Sequence, residues 1–234
     1  MNERFMRTEA LLGESAMEKL KNSHVAIFGV GGVGGYSAEA FARSGVGEIT
    51  LIDSDTVNRS NINRQIIATE ATVGRYKTEV MAERILSINP TCKINIKTLF
   101  YSEETKAQFD FKEYDYVIDA IDTVTSKILL IESAISSNTK IISSMGTGNK
   151  LDPACLKISD ISKTSVCPLA RVMRRELRMR GINHLRVLYS TEEPRKITIP
   201  DGEKTRHAPA SIAFVPSVAG LIIAGEAIRE LSEI

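Results

Sequence analysis

Between residues 9 and 143, short apolar runs alternate with longer segments in which apolar residues recur every three or four positions. The short runs predict buried strands, and the longer segments predict amphipathic helices. Because the two kinds alternate, we expect a mostly parallel sheet with helices on both faces. The predicted strands are 25–28, 49–53, 94–99, 116–120 and 140–143, and the predicted helices are 9–21, 31–44, 76–87, 103–109 and 125–137.

This regular alternation stops in the last third of the chain. Two further apolar runs, at 155–159 and 185–190, predict strands that extend the sheet in the antiparallel direction. The polar stretch 191–207 predicts a mobile loop.

The stretch 208–225 has 18 residues and no charged side chain, which is the lower limit for a membrane span. Pro209, Pro216 and two serines interrupt it, so we predict that it does not cross a membrane. We expect instead a buried strand at 212–215, followed by a core helix that starts near Pro216.

A glycine cluster joins the first predicted strand to the helix that follows it. Backbone N–H groups at such a helix start bind phosphate, and an acid at the tip of the next strand accepts hydrogen bonds from ribose. Asp53 stands at that tip, 19 residues after the last glycine of the motif. The combination predicts a Rossmann-like α/β fold that binds a nucleotide, most often NAD. The motif glycines are Gly29, Gly31, Gly32 and Gly34.

The polar segment after the second predicted strand favours a triphosphate over NAD. Arg64 and Lys77 would balance phosphate charge, and the side-chain amides of Asn61, Asn63 and Gln65 would act as donors. Asp55 and Asp122 are carboxylates of the kind that hold magnesium beside phosphates. The alternatives are a solvated loop for Arg64, a surface lysine for Lys77, and a helix N-cap for Asp122.

Composition places few limits on the partners of this chain. Its 234 residues have a net charge of +1, 43% hydrophobic residues and 25% charged residues, which is ordinary for one globular domain. Three scattered cysteines and an N-terminus without an apolar signal core predict a cytoplasmic location, and the lack of a C-x-x-C pair predicts no zinc site. We divide the domain into a helical arm (1–22), an ATP-binding core (23–150), a basic crossover segment with a mobile loop (151–210), and a buried strand with a core helix (211–234).

Taken together, these motifs resemble the ubiquitin-activating-enzyme-like family of adenylating enzymes. The resemblance rests on the glycine motif, residues 52–65, Lys77 and residues 119–123. It implies that the chain binds ATP with Mg²⁺ and that a substrate carboxylate attacks the α-phosphate, giving an acyl-adenylate and pyrophosphate.

The resemblance also assigns roles to individual residues. It implies catalytic roles for Asn61, Arg64, Lys77 and Asp122, with Asp122 holding Mg²⁺. Arg7 would reach from one subunit of a homodimer into the ATP site of the other. The implied ATP-binding residues are Gly29, Gly31, Gly32, Gly34, Asp53, Asp55, Ser60, Asn61, Ile62, Asn63, Arg64, Lys77, Asp122 and Thr123.

Residues beyond Gly148 resemble the branch of this family that acts on threonylcarbamoyladenosine in tRNA. That branch implies adenylation of the substrate carboxylate, ring closure with release of AMP, and hence a net dehydration. The alternative is a zinc-free activator that adenylates the C-terminus of a small ubiquitin-like sulfur-carrier protein, with Cys167 as the acceptor. We favour an ordinary thiol for Cys167, since ring closure by the carbamoyl group needs no enzyme nucleophile.

Local charge independently favours an RNA partner. Residues 163–186 contain seven Lys or Arg and one Glu, a net charge of +6 in a chain that is otherwise slightly acidic. Such a stripe is typical of a surface that binds a phosphate backbone. The alternative is an exposed helix whose arginines pair with acids elsewhere. The predicted tRNA-binding residues are Arg171, Arg174, Arg175, Arg178 and Arg180.

Overall fold

A computed structural model describes residues 3–197, 199–201, 204–206 and 209–234. Its main sheet has seven strands, and the remaining two strands, β8 and β9, form an antiparallel pair. The strands are β1 His24–Phe28, β2 Glu48–Ile52, β3 Lys93–Lys97, β4 Tyr116–Asp119, β5 Lys140–Ser144, β6 Leu156–Asp160, β7 Arg186–Ser190, β8 Ile199–Asp201 and β9 Lys204–Arg206. The α-helices are α1 Met6–Leu12, α2 Glu14–Asn22, α3 Gly34–Arg43, α4 Lys77–Ile88, α5 Val124–Ser136, α6 Pro168–Met179 and α7 Phe214–Ser232.

The sheet order is β3-β2-β1-β4-β5-β7-β6. Every neighbouring pair is parallel except β6–β7, which is antiparallel. The α/β fold predicted from the sequence, with its antiparallel extension, is therefore confirmed. The order reverses direction at β1, and in open α/β sheets ligands bind in the crevice at such a switch point.

Alternate residues of β1 contribute to the two halves of the core. Val25 and Ile27 pack with α2, α3 and α7 on one face of the sheet. Ala26 and Phe28 pack with α5 and α6 on the other. All four side chains are fully buried, as expected for a strand whose successive side chains point to opposite faces.

Helix α7 crosses α3 at close range and thereby fixes the base of the glycine turn. A Cβ at Gly220 would lie 2.2 Å from the Val33 carbonyl oxygen, so only glycine allows this approach. The Ser37 hydroxyl donates to the Gly220 carbonyl at 2.9 Å. Among the described residues, none of the helices combines the length and apolarity needed to cross a bilayer.

Two predicted helices differ in the structure. The helix at 9–21 is divided at Gly13, whose positive φ of 88° ends α1 before α2 begins. The helix at 103–109 is reduced to a single 3-10 turn, Lys106–Gln108. There the Thr105 hydroxyl accepts from the Ser102 N–H and donates to the Phe100 carbonyl, and such local bonds compete with helix formation.

The predictions for the C-terminal region were partly wrong. The strand predicted at 212–215 is absent, because α7 already begins at Phe214 and includes Pro216 in its first turn, where the missing N–H costs no helical bond. A short apolar run cannot by itself distinguish a strand from a buried helix. The loop predicted at 191–207 contains β8 and β9, while its positions 198, 202, 203 and 207 lie outside the described residues, and its mobility stays a prediction.

Candidate active site

A cavity of about 980 Å³ opens where the parallel strands end. Its wall combines the glycine turn after β1, the residues that follow β2, β4 and β5, and the segments before α6 and α7. Nine of the predicted ATP-binding residues meet there although they are far apart in the chain. These are Gly29, Gly31, Gly32, Asp53, Asp55, Arg64, Lys77, Asp122 and Thr123.

The motif glycines have different physical roles. Gly29 has a φ of +91°, and a Cβ there would lie 2.6 Å from the Ala120 carbonyl oxygen. A Cβ at Gly34 would lie 1.8 Å from the Gly29 carbonyl oxygen, so Gly34 lets α3 start against the turn and lies outside the cavity wall. The nearest atom to a Cβ at Gly31 is the Gln65 amide nitrogen at 3.7 Å. Gly31 therefore exposes backbone to the cavity, as a phosphate cradle requires.

Asp53 ties the glycine turn to the end of β2. Its carboxylate accepts the Val30 N–H at 2.7 Å and the Asp55 N–H at 2.9 Å. Burial raises the pKa of Asp53, against the opposing effect of the Lys77 charge. Since a carboxylate has about four lone-pair sites, Asp53 keeps acceptor capacity for a ribose hydroxyl.

Lys77 is the first residue of α4 and is only 6% exposed. Its ammonium lies 2.6 Å from the Asp55 carboxylate and 3.8 Å from that of Asp53. The alternative of a surface lysine is therefore wrong. A cation at a helix start that lines a cavity favours an anionic ligand.

Arg64 is the one residue of the 60–64 segment that lines the cavity. Its guanidinium donates to the Ser60 carbonyl at 2.8 Å and to the Asn63 amide oxygen at 2.9 Å. Both bonds lie within the loop that contains Arg64, and the side chain is half-buried, so its contact with phosphate stays a prediction.

The other members of this segment stabilise the turn itself. Asn61 is buried, and its amide oxygen accepts the Asn58 N–H at 3.0 Å in a capping box. Asn63 donates to the Ser211 carbonyl at 3.0 Å and so links the turn to the segment before α7. Ser60 and Ile62 are exposed outside the cavity wall. Direct contact of these four residues with ATP stays a prediction.

Asp122 and Asp119 lie close in sequence, yet their environments are opposite. Asp122 is exposed and lines the cavity, while the N-cap position of α5 is Thr123, whose side chain makes no capping hydrogen bond. Asp119 is fully buried, 2.9 Å from the equally buried Lys127 ammonium, and accepts from the Ser143 hydroxyl. Asp122 is thus available to a ligand, whereas Asp119 is committed to the core.

The donor groups fit a magnesium ion that arrives with a nucleotide. Mg²⁺ is usually held by one or two carboxylates together with substrate phosphates. Asp55 is engaged by Lys77, so Asp122 is the carboxylate that faces the cavity without a cation in ion-pair contact among the described residues.

The cavity wall also contains residues that are not among the predicted catalytic and ATP-binding residues. The Gln65 amide oxygen is buried at the cavity wall and has no hydrogen-bond partner within the described part of the chain, which suits a ligand donor. Lys150 and Cys167 are buried in the same wall. Gln65 had a signal, its place in the polar segment after β2, whereas no local pattern marks Lys150.

The five predicted tRNA-binding arginines, four on α6 and Arg180 directly after it, are not equivalent. Arg174 donates to the Thr164 carbonyl at 2.9 Å and to its hydroxyl at 2.6 Å. Arg175 and Arg180 form ion pairs with Glu176 at 2.9 and 3.2 Å. The alternative of arginines paired with acids therefore applies to this part of the helix.

Arg171 and Arg178 remain exposed on α6, and neither forms an ion pair with any described residue. The opposite side of the helix packs into the core through three fully buried residues, Ala170, Met173 and Leu177. The basic surface available to a large anion therefore centres on Arg171 and Arg178. Arg7, predicted to act across a dimer, is exposed on α1 and does not line this cavity.

The fold and the site together are those of a ThiF-family protein. The model of the ThiF family matches residues 4–234, and the chain therefore belongs to this family. A tRNA threonylcarbamoyladenosine dehydratase from Bacillus subtilis (strain 168) is 47% identical over 242 residues, which span 99% of this chain and 95% of the relative.

Solved structures agree with this assignment. The E. coli tRNA N6-threonylcarbamoyladenosine dehydratase TcdA in complex with ATP has a TM-score of 0.89 and 34% identity, over 98% of this chain and 94% of that chain. Its complex with AMP has a TM-score of 0.90 and 34% identity, with the same coverage.

Proposed function

We propose that this protein dehydrates threonylcarbamoyladenosine in tRNA to its cyclic form at the expense of ATP. The observation that carries the proposal is the 47% identity to the B. subtilis dehydratase along almost the whole of both chains. The cavity supports it, because a glycine turn, two cations and an exposed carboxylate converge at the switch point of the sheet.

The first step is adenylation of the substrate carboxylate. A carboxylate oxygen attacks the α-phosphorus of ATP, the bond to the β-phosphate oxygen breaks, and pyrophosphate leaves. Gly31 offers backbone to the phosphates, while Arg64 and Lys77 offset the charge that develops on them. The protein contributes positioning and charge, so the step needs no side-chain nucleophile.

The second step closes the ring. The carbamoyl group of the substrate attacks the activated acyl carbon and loses a proton, and AMP leaves with the oxygen that came from the carboxylate. Positioning of the two groups within one substrate drives this step. Cys167 is buried in the cavity wall, but the chemistry assigns it no bond to form.

Magnesium is part of the proposal as a nucleotide-bound ion. Asp122 would hold it, and when bound it would supply positive charge at the phosphates. The chain's own contribution at this point is the orientation of Asp122, which follows β4 and precedes α5.

The proposal also includes a homodimer. Arg7 is exposed on α1, where it would be free to reach the ATP site of a second subunit, as the resemblance to adenylating enzymes implies. Phe5, two residues before Arg7, is buried and attaches the N-terminal helical arm to the core. A Cβ built on Gly45 would lie 3.6 Å from the Phe5 ring.

Pyrophosphate release with different acceptors tests the function. We expect release with tRNA that carries threonylcarbamoyladenosine and only background with unmodified tRNA or with a small protein ending in glycine. Equal release with unmodified tRNA would contradict the proposal. Release with the small protein, together with loss of product formation in Cys167→Ala, would favour the sulfur-carrier alternative instead.

A further inference from the structure

Three lysines in the described part of the chain are at least nine-tenths buried. Lys77 has Asp55 as its counter-ion at 2.6 Å, and Lys127 has Asp119 at 2.9 Å. Lys150, only 3% exposed, forms no ion pair with any described carboxylate. A buried charge without a partner is costly, so this exception requires an explanation.

The surroundings of Lys150 leave most of its hydrogen-bonding capacity unused. An ammonium group has three N–H donors, and one of them binds the Gly146 carbonyl at 2.5 Å. The nearby Glu192 carboxylate accepts the backbone N–H groups of Leu151 and Asp152, at 2.9 Å each, and is not within ion-pair distance of Lys150. Burial lowers the pKa of Lys150, and Cys167 and Glu192 oppose this effect. An anion at the ammonium would remove the imbalance.

The position of Lys150 beyond the end of β5 points to the acceptor substrate rather than the nucleotide. Along the sheet edge the order is β2, β1, β4 and β5, followed by β7. Asp53 at β2, the glycine turn at β1 and Asp122 at β4 occupy the nucleotide half of the cavity. Lys150 belongs to the segment after β5, which lines the same cavity on the far side of Asp122.

We propose that Lys150 binds the substrate carboxylate before adenylation and directs it toward the α-phosphate. The substrate is thus the missing counter-ion, and this inference rests on the proposed function. Arg195 and Lys196 also line the cavity but are exposed at its rim, where hydrated cations bind a carboxylate more weakly. Lys150 acts at short range and inside a desolvated site, which makes it selective for a charged acceptor.

The variants Lys150→Gln and Lys150→Arg test the inference, with the exposed Lys157→Gln on β6 as a matched control. Each is assayed with substrate tRNA and with the same tRNA after conversion of its carboxylate to a carboxamide, which serves as a competitive inhibitor. We expect Lys150→Gln to raise KM for the carboxylate tRNA on the order of 10- to 100-fold. The inhibition constant of the carboxamide tRNA and the Kd of ATP should stay within about twofold, because neither involves the missing charge.

Rescue and folding controls separate binding from structure. Lys150→Arg should have a KM for the carboxylate tRNA between those of wild type and Lys150→Gln, since it keeps the charge but changes the length of the side chain. If Lys150→Gln does not fold, Lys150→Met is used, because it removes the charge without burying an amide. The inference would be overturned if KM for the carboxylate tRNA and the inhibition constant of the carboxamide tRNA rose together. Weaker ATP binding, or kinetics equal to those of Lys157→Gln, would also overturn it. A wild-type protein that does not act on this tRNA would instead contradict the proposed function.

Discussion

Lys77 and Asp55 form a contact of 2.6 Å at the wall of the cavity, with the lysine buried and the carboxylate largely exposed. Asp55 therefore holds the cation where a nucleotide phosphate would arrive and can release it to that phosphate. The pair is a preformed anion site whose resident counter-ion is replaceable, because one partner is in contact with water.

Replacing Lys77 should remove catalysis and leave the fold. We expect Lys77→Met to lower kcat by about 10²- to 10³-fold, the usual cost of removing one charge that stabilises a transition state. Asp55→Asn should have a much smaller effect, since it only removes the resident competitor for the ammonium. Steady-state AMP formation gives kcat for both variants, with thermal melting as a folding control. Equal losses of kcat in the two variants would contradict the prediction that Lys77 matters more than Asp55.

Substitutions of Asp119, the last residue of β4, and of Asp122, three residues later, should have opposite effects. Asp119→Asn leaves the Lys127 ammonium buried without its counter-ion and should cost about 3–5 kcal/mol of unfolding free energy. Asp122→Asn should leave the unfolding free energy unchanged within about 0.5 kcal/mol, as expected for an exposed site, but abolish turnover. Urea unfolding and activity assays on the two variants check the distinction, and a stable Asp119→Asn protein would contradict it.

The unpaired arginines of α6 should dominate tRNA binding. We expect the double variant Arg171→Ala, Arg178→Ala to weaken binding and to reduce the slope of log K against log salt by about 2, one for each lost phosphate contact. Arg175→Ala is the matched control on the same helix, and its effect should be small because Glu176 already neutralises this arginine. Fluorescence anisotropy at several salt concentrations measures both, and identical slopes for wild type and the double variant would exclude this surface.

Acid should remove the contribution of Glu39 to stability. Burial by itself raises the pKa of Glu39, but hydrogen bonds and charges from Arg84 and Arg43 outweigh it, so the folded-state pKa lies below its usual value. A lowered pKa means that the contribution is complete above the unfolded value of about 4.3 and is lost as the pH falls through the folded value.

The difference in unfolding free energy between wild type and Glu39→Gln should therefore shrink from neutral pH toward about pH 3. At neutral pH we expect the variant to be less stable by roughly 1–2 kcal/mol, since both arginines lose a charged acceptor. Urea unfolding across this pH range provides the measurement. A constant difference would show that Glu39 has the same pKa in both states.

Local patterns were sufficient to predict that the glycine turn, Asp53 and Lys77 converge on one cavity. Gly29 and Asp53 belong to one strand-turn-helix-strand unit, so their approach follows from short-range geometry. Lys77 required only the further inference that the next helix starts at the same edge of the sheet. The sequence predicted a nucleotide triphosphate as the ligand because cations and carboxylates accumulate at that edge of the sheet.

The remaining features depend on contacts between distant segments. In the sequence, Lys127 is an ordinary helix lysine, and only the packing of α5 against β4 brings it to Asp119. Lys150 is likewise an ordinary loop lysine in the sequence, and only the fold places it in the cavity wall. The arginines of α6 form one charge stripe in sequence, yet Thr164 and Glu176 divide them into bound and available groups. Periodicity and composition contain no information on these partners.

Mass spectrometry of tRNA nucleosides shows directly whether the protein dehydrates threonylcarbamoyladenosine in tRNA. The wild-type protein is incubated with ATP, magnesium and tRNA carrying threonylcarbamoyladenosine, and the tRNA is digested under mild conditions. We expect the modified nucleoside to become lighter by one water, with one AMP formed per converted nucleoside and no change when ATP is omitted. An unchanged nucleoside mass while ATP is consumed, or the same AMP yield with unmodified tRNA, would contradict the proposed function.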